Sequence, residues 1–298
     1  MQLFWQVLFP VLLIFAGGFL LQKIFRLDIK PITTMAVYLL LPLLVFETFY
    51  KQPIDSRFLM IFLVTVLIMF ALITIVFLIV KVFHINKDSI GALMLSTVFP
   101  NSGNFGIPVV LFAFGHQGFL YGMPVMIIHN VLMGTFGVYF AAGGKGGFRT
   151  AMRTVLSQPS NYAVIIGIAM QQLHLPVPST IYQSIRLVGD TTIPIIMVVL
   201  GMQLATVRLK TIVGGKIGLV LLLRLIVSPL IAWGLCAAFG FSPVLSAVMV
   251  VLAAMPSAAN TTMYAIQFDA QPAFVSSCTF LTTIVSFPTL AVLLNLLN

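Results

Sequence analysis

Two proline-containing stretches of the chain combine helix-breaking residues with neutral polar side chains. Residues 100–108 read PNSGNFGIP, and residues 256–262 read PSAANTT. Proline within a helix removes a backbone donor and clashes with the preceding turn, so we expect each stretch to interrupt its helix. The helix that resumes after such a break presents free N–H groups and the positive end of its dipole. Two such ends flanked by amides suit a carboxylate better than a metal cation, and we predict no metal site and no cofactor.

Amide and hydroxyl side chains in these stretches, together with one amide in a neighbouring apolar run, are the candidate substrate-binding groups. They are Asn101, Ser102, Asn104, Asn130, Ser257, Asn260 and Thr261. An unwound backbone cannot face lipid, so it must be buried in protein or line a wet cavity in which these side chains can act. The alternative interpretation is that the prolines only kink tightly packed helices and that the polar side chains satisfy local backbone groups.

Three ionisable residues inside apolar runs are candidates for coupling or substrate binding, because a charge in such a run is expensive. Glu47 is a candidate to carry a coupling proton or to pair with a cation, or it is an interfacial residue beside Lys51. His129 can titrate near neutrality and relay protons, or it is a neutral, hydrogen-bonded side chain. Arg224 is a candidate counter-ion for the substrate, and the alternatives are a structural pair or a side chain that snorkels to the interface.

The composition places these polar residues inside a membrane. Of the 298 residues, 60% are hydrophobic and only 7% are charged, whereas soluble domains average about a quarter charged residues. Residues 89–144 and 225–268 contain no Asp, Glu, Lys or Arg, and each run exceeds the ~20 apolar residues that span a bilayer. The net charge of +9 resides in short gaps between apolar runs. This pattern argues against a nucleic-acid partner and predicts a polytopic integral membrane protein.

Charged gaps and gaps rich in Pro, Gly or Asn divide the chain into ten candidate spans of about 20 residues each. All-round apolarity without alternation favours helices over barrel strands, so the predicted fold class is an all-α integral membrane protein. The ten predicted spans are residues 3–22, 32–50, 58–80, 90–115, 119–142, 158–174, 181–205, 212–239, 244–268 and 273–297.

The distribution of basic residues between connectors predicts the orientation. Even-numbered connectors hold three Lys and Arg residues, which are Lys51, Arg57 and Arg186. Odd-numbered connectors hold eleven, which are Lys23, Arg26, Lys30, Lys81, Lys87, Lys145, Arg149, Arg153, Arg208, Lys210 and Lys216. Because positively charged connectors stay cytoplasmic, both termini are expected outside a plasma (inner) membrane.

An internal repeat relates the two halves of the sequence. Pro100 and Asn104 recur as Pro256 and Asn260 at a common offset of 156 residues. Weaker matches of proline, glycine and glutamine relate the first span to the sixth and the second span to the seventh. Three matches in the same order along the chain indicate two related units.

Each of these units holds five predicted spans, which is an odd number, so the second unit must enter the membrane upside down relative to the first. We predict a five-helix repeat over 1–142, a cytoplasmic connector over 143–157 and a second, inverted five-helix repeat over 158–298. Inverted repeats with discontinuous helices that meet near the midplane are typical of secondary transporters.

The residues Pro100-Asn101, followed by Gly106-Ile107-Pro108, resemble the crossover motif of the auxin efflux carrier family, which includes the plant PIN carriers and many bacterial permeases. The resemblance covers essentially the whole chain, although residues 253–256 (AAMP) of the ninth span match more loosely. It implies that spans one, two, six and seven form a scaffold and that the other six form a transport domain, in which helices four and nine cross at their breaks. The crossover residues are then Pro100, Gly103, Gly106, Pro108 and Pro256.

The resemblance also implies a function, the export or uptake of organic anions, with Asn101 contacting the carboxylate. The connector around residues 145–153 is much shorter than the hydrophilic loop of the plant carriers, which favours a microbial permease over an auxin carrier. We therefore predict a secondary active transporter that moves a small mono- or dicarboxylate by an alternating-access, elevator-like movement. The expected partners are this anion, a coupling proton or sodium ion and the lipid bilayer, with a homodimer as the candidate assembly.

Two other classes of function compete with this prediction. An anion or solute channel, or a transporter-like sensor, is the main alternative, because inverted repeats with broken helices also occur in channels. An intramembrane enzyme is not expected. The single glutamate, Glu47, leaves no His-Glu-x-x-His zinc motif, and Ser102-Gly103 lacks the context of a serine-type intramembrane protease.

Overall fold

The computed structural model describes residues 4–52, 56–144, 148–206 and 216–297, and these ranges contain helices and no β-strand. The predicted all-α fold class is therefore confirmed for them. Three basic residues of the orientation argument, Lys145, Arg208 and Lys210, lie outside the described residues, as do residues 212–215 at the start of the predicted eighth span.

Twelve helices in the described ranges carry the architecture. They are α1 (Trp5–Phe25), α2 (Ile29–Lys51), α3 (Arg57–Val82), α4 (Ile90–Val98), α5 (Ser102–Ala141), α6 (Phe148–Leu156), α7 (Pro159–Gln172), α8 (Ser179–Thr206), α9 (Ile217–Ala238), α10 (Pro243–Ala253), α11 (Ala259–Gln267) and α12 (Pro272–Leu297).

Seven of these helices are long and apolar enough to cross a membrane by length and composition: α1, α2, α3, α5, α8, α9 and α12. The predicted spans 90–115 and 244–268 are each divided between two helices, and α7 has only 14 residues. Helix α5 has 40 residues, about twice a bilayer span. It is interrupted at Gly115, the last residue of the predicted fourth span, whose φ of 61° lies in the region that favours glycine. The count of ten spans in two inverted repeats stays a prediction.

Helices α1, α2, α7 and α8 pack principally against one another, and glycines set their closest contacts. A Cβ atom on Gly18 of α1 would lie 2.1 Å from the carbonyl oxygen of Val198 in α8, and one on Gly201 of α8 would lie 2.1 Å from that of Phe15. Only a residue without a side chain permits this approach of two backbones, which is the common way to pack helices in lipid.

The remaining long helices form a second group around the broken pairs, with α10 packed against both α5 and α9. The two groups touch through aromatic rings, since the Phe15 ring lies 5.3 Å from that of Phe105 and 6.3 Å from that of Phe287, centroid to centroid. They also share a buried apolar cluster that includes Leu44 of α2 and Met123 of α5. Beside these contacts a cavity of about 910 Å³ lies between α1, α2 and α8 on one side and α5 on the other. The helices therefore divide into two bundles with an open space at their boundary.

The glycine contact between α1 and α8 gives a first prediction. Gly18→Ala should lower the thermal stability of the purified protein in detergent, because overpacking of this kind typically costs roughly 1–3 kcal/mol. Gly17→Ala is the matched control on the neighbouring position, where a Cβ meets nothing within 4 Å. It should leave stability unchanged or raise it slightly. Equal effects of the two substitutions would contradict the packing described.

Candidate functional site

The two predicted helix breaks occur, and they lie side by side. Pro100 and Ser257 form an isolated antiparallel bridge. The backbone nitrogen of Asn101 donates to the carbonyl oxygen of Pro256 at 2.7 Å, and that of Ala258 donates to the carbonyl oxygen of Phe99 at 2.9 Å. Each unwound segment thus supplies hydrogen-bond partners that the other lost by leaving the helix, which burial in a membrane requires.

Both breaks are shorter than the sequence predicted. Helix α5 resumes at Ser102 with a π-helical turn, not near Pro108, and α11 resumes at Ala259, before Thr262. Pro108 is accommodated because it stands at the start of the α-helical part of α5, where a missing N–H is tolerated. The prolines therefore do not define the whole length of either break.

The carbonyl groups at the end of α4 are satisfied from outside that helix. The last carbonyls of a helix lack intrahelical partners. The carbonyl oxygen of Ser96 accepts a hydrogen bond from Ser257 Oγ. Those of Thr97 and Val98 accept from Arg224 Nη1 at 2.9 and 3.1 Å. The end of α4 is thereby closed by one hydroxyl from the second break and one guanidinium from α9.

Arg224 joins the ends of both broken helices. Its Nη2 donates to the carbonyl oxygen of Ala253, the last residue of α10, and to Ser228 Oγ at 2.7 Å. The Ser228 hydroxyl in turn donates to the same Ala253 carbonyl at 2.8 Å. The arginine side chain is only 1% exposed, so it does not snorkel to the interface. No carboxylate of the described chain lies within ion-pair distance of it.

The first break also holds a polar cluster at the start of α5. Asn101 is 5% exposed, and its Nδ2 has no hydrogen-bond partner among the described residues. The backbone carbonyl oxygen of Asn101 accepts a hydrogen bond from the backbone nitrogen of Gly106 at 3.0 Å. Ser102 Oγ and His129 Nδ1 lie 2.6 Å apart and share a hydrogen bond. His129 is therefore hydrogen-bonded to the first turn of α5.

The second break is held by hydroxyl groups. The buried Ser257 donates from its backbone nitrogen to Thr282 Oγ1 at 3.1 Å. Thr261 Oγ1 donates to the carbonyl oxygen of Ala258 at 2.6 Å, within its own first turn. Asn260 is exposed, so its side chain is not part of the buried cluster, although the repeat matches it to the half-buried Asn104.

The structure thus brings Asn101, Ser102 and Ser257 together at the breaks and places Thr261 in the first turn of α11, whereas Asn104 and Asn130 are half-buried residues of α5. Ser228 was not among the predicted site residues. Its position four residues after Arg224, within the same apolar run, is the signal that places its hydroxyl beside the guanidinium.

Glu47 lies away from the breaks, on the wall of the cavity between the two bundles. Its Oε1 accepts a hydrogen bond from the Tyr182 hydroxyl at 2.6 Å and lies 3.4 Å from Lys51 Nζ. Glu47 is thus paired with Lys51, the neighbour on the same helix that the sequence offered as its partner. The cavity wall also carries His116, Arg186 and Asp190.

Comparison with known proteins places this architecture among transporters. The model of a family described as membrane transport protein matches residues 3–149 and 148–294. An uncharacterized transporter of Methanocaldococcus jannaschii is 27% identical over 300 aligned residues, covering 96% of each chain. An uncharacterized transporter of Methanothermobacter thermautotrophicus is 25% identical, covering 96% of this chain and 95% of its own.

The Ser257 hydroxyl links the two breaks, and its contribution to stability can be compared with that of the Ser286 hydroxyl, which does not. Ser257→Ala removes the only donor described for the Ser96 carbonyl across the breaks, and an unmade buried hydrogen bond costs about 1–3 kcal/mol. Ser286→Ala removes an equally buried hydroxyl that bonds only within its own helix. Thermal unfolding in detergent should show a clear loss for the first variant and little for the second. The reverse order would be incompatible with the described contacts.

Proposed function

The chain belongs to the membrane transport protein family, the family of the auxin efflux carriers, and on this premise we propose that it is a secondary carrier of a small organic anion. It is a multi-pass membrane transporter. The proposed substrate is a mono- or dicarboxylate, and the proposed binding site is the pair of helix breaks. The sections of chain that would form the two inverted repeats are 1–142 and 158–298.

The observation that carries this proposal is the meeting of two helix breaks in the protein interior. Helices α5 and α11 both begin there, so their first backbone N–H groups and positive dipole ends are directed at the same region. Asn101 adds a buried amide whose Nδ2 has no described partner. A buried donor without a partner is costly, and a bound carboxylate oxygen would satisfy it. The Ser102 hydroxyl would extend this neutral pocket, and Ser257 would form part of its wall, since its own hydroxyl already donates to the Ser96 carbonyl.

The two bundles supply the proposed moving parts. We propose that α1, α2, α7 and α8 are the scaffold and that the bundle containing the breaks moves against it. The boundary between them includes aromatic contacts, an apolar cluster shared by α2 and α5 and a cavity of about 910 Å³, whereas close glycine contacts join the helices of the scaffold. In the predicted orientation, with both termini outside a plasma membrane, this cavity is the external access route.

The proposed coupling group is His129, because it contacts the first turn of α5 through Ser102. Glu47 is bound to Tyr182 and Lys51 on the cavity wall, and Arg224 is occupied by carbonyl groups. These two residues are therefore assigned to the access route and to the support of the site. A proton or a sodium ion remains the proposed coupling ion.

The binding role of Asn101 can be measured by uptake. In liposomes loaded with each of several mono- and dicarboxylates, the protein should show saturable flux and counterflow of at least one of them. Asn101→Ala should lower this flux at least about tenfold, since a hydrogen bond to a charged group contributes about 1.5–3 kcal/mol. Asn260→Ala, at the exposed position matched by the repeat, should have a smaller effect.

Thermal unfolding of both asparagine variants serves as the folding control. Normal flux through Asn101→Ala would remove Asn101 from the site. Flux that does not saturate, together with unitary current steps, would identify a channel and overturn the carrier.

The relative movement of the bundles can be tested by cross-linking. Ile14 of α1 and Leu111 of α5 both line the cavity between the bundles. A cleavable bismaleimide joining cysteines at these two positions should abolish flux, and cleavage should restore it. The matched control joins Tyr50 of α2 and Val177, which precedes α8, within the proposed scaffold, where the Tyr50 hydroxyl lies 3.2 Å from the Val177 backbone nitrogen. That link should leave flux intact. Full transport through a protein linked at 14 and 111 would contradict the movement.

A further inference from the structure

Arg224 is a buried cation whose described partners are all neutral. Its Nη atoms donate to the carbonyl oxygens of Thr97, Val98 and Ala253 and to Ser228 Oγ. These contacts use four of the five guanidinium N–H groups, and only Nε is without a partner in the described chain. A charge this deep normally pairs with a carboxylate, so its partners here require an explanation.

The three carbonyl groups identify what the guanidinium neutralises. Thr97 and Val98 are the last residues of α4, and Ala253 is the last residue of α10. The C-terminal end of a helix carries about half a negative elementary charge, so the two ends together carry about −1. One guanidinium cancels that charge, and its planar fork reaches both ends at once, which the point charge of a lysine cannot do.

The opposite helix ends have no such counter-charge. Helices α5 and α11 begin at the same pair of breaks, and each N-terminus contributes about half a positive charge. The side chains beside them in the described chain, Asn101, Ser102 and Thr261, are neutral, and His129 is hydrogen-bonded to Ser102. With Arg224 in place the breaks carry about +1 in total. Without its charge the four helix ends would sum to about zero.

We propose that Arg224 is a specificity-determining residue that sets the charge preference of the site: by neutralising the C-terminal ends of α4 and α10, it leaves the N-terminal ends of α5 and α11 to select one anionic group. This rests on the proposed function only in taking the breaks as the substrate site. Arg224 acts through the helix ends and does not itself contact the anion.

Two independent substitutions remove the positive charge of the guanidinium. Arg224→Gln deletes it, and Arg224→Lys is the control that keeps the charge but loses the planar fork. Ser228→Asp neutralises the guanidinium in place, because Ser228 Oγ lies 2.7 Å from Nη2. Ser228→Asn is its matched control of nearly the same shape and no charge. Size-exclusion profiles and thermal unfolding establish that each variant is folded, and the Ser228 pair decides the question where Arg224→Gln does not fold.

A thiol reporter measures the local potential without a substrate. Asn104→Cys introduces a thiol in the first turn of α5, and the native Cys236 and Cys278 are fully buried. The reaction rates of the introduced thiol in the Asn104→Cys variant are measured with two methanethiosulfonates, one bearing a sulfonate and one bearing a trimethylammonium group. The protein with Asn104 unchanged gives the background rates. The ratio of the two rates should favour the anionic reagent. Arg224→Gln and Ser228→Asp should lower that ratio about tenfold, whereas Arg224→Lys and Ser228→Asn should preserve its direction.

A ratio that is the same in the charged and the neutralised variants would overturn the inference, as would a thiol that neither reagent can reach, because a binding site must admit solute. The outcome is separable from that of the proposed function. If the ratio depends on the charge of residue 224 but no carboxylate is transported, only the proposed carboxylate transport is refuted. If carboxylate is transported but the ratio does not depend on that charge, only the role of Arg224 is refuted.

Discussion

The structure depends on one constraint, which is that backbone N–H and C=O groups inside a membrane must find partners within the protein. Two helices are interrupted by proline, and each interruption frees such groups. The two breaks bond to each other through Asn101 and Ala258, and Ser257 and Arg224 close the carbonyl end of α4. Neither break would be stable alone, because each supplies the other's missing partners. Helix α10, which ends at the second break, packs against both α5 and α9.

The same constraint leaves the chemistry of the site unbalanced. The carbonyl groups described at the ends of α4 and α10 accept hydrogen bonds from Arg224, Ser228 and Ser257. The N-terminal ends of α5 and α11 and the Nδ2 of Asn101 are left as donors. Breaks whose helix-end carbonyls are occupied and whose N–H groups are open suit an anion with oxygen acceptors. The family membership makes this protein a transporter, and the donor excess is our reason for proposing a carboxylate as its cargo.

Sequence reasoning located both breaks because proline has a strong local effect, and it placed the family from the residues around the first break. It placed the start of α5 too late, near Pro108. A π-helical turn over Ser102–Gly106 precedes Pro108, and residue types alone do not distinguish such a turn from an unwound segment. It could not find the partners of Arg224, because the carbonyls of Thr97 and Ala253 lie 127 and 29 residues away. The repeat matched Asn260 to Asn104, but exposure depends on neighbours that the repeat does not fix.

The most direct measurement is an experimental structure of the protein in a lipid nanodisc with a bromine-labelled carboxylate that it transports. We expect density for the carboxylate group beside the Asn101 side chain, at the first turns of α5 and α11. Density for the carboxylate on the carbonyl side of the breaks, against Arg224, or confined to the wall of the cavity near Glu47 and Lys51, would contradict it.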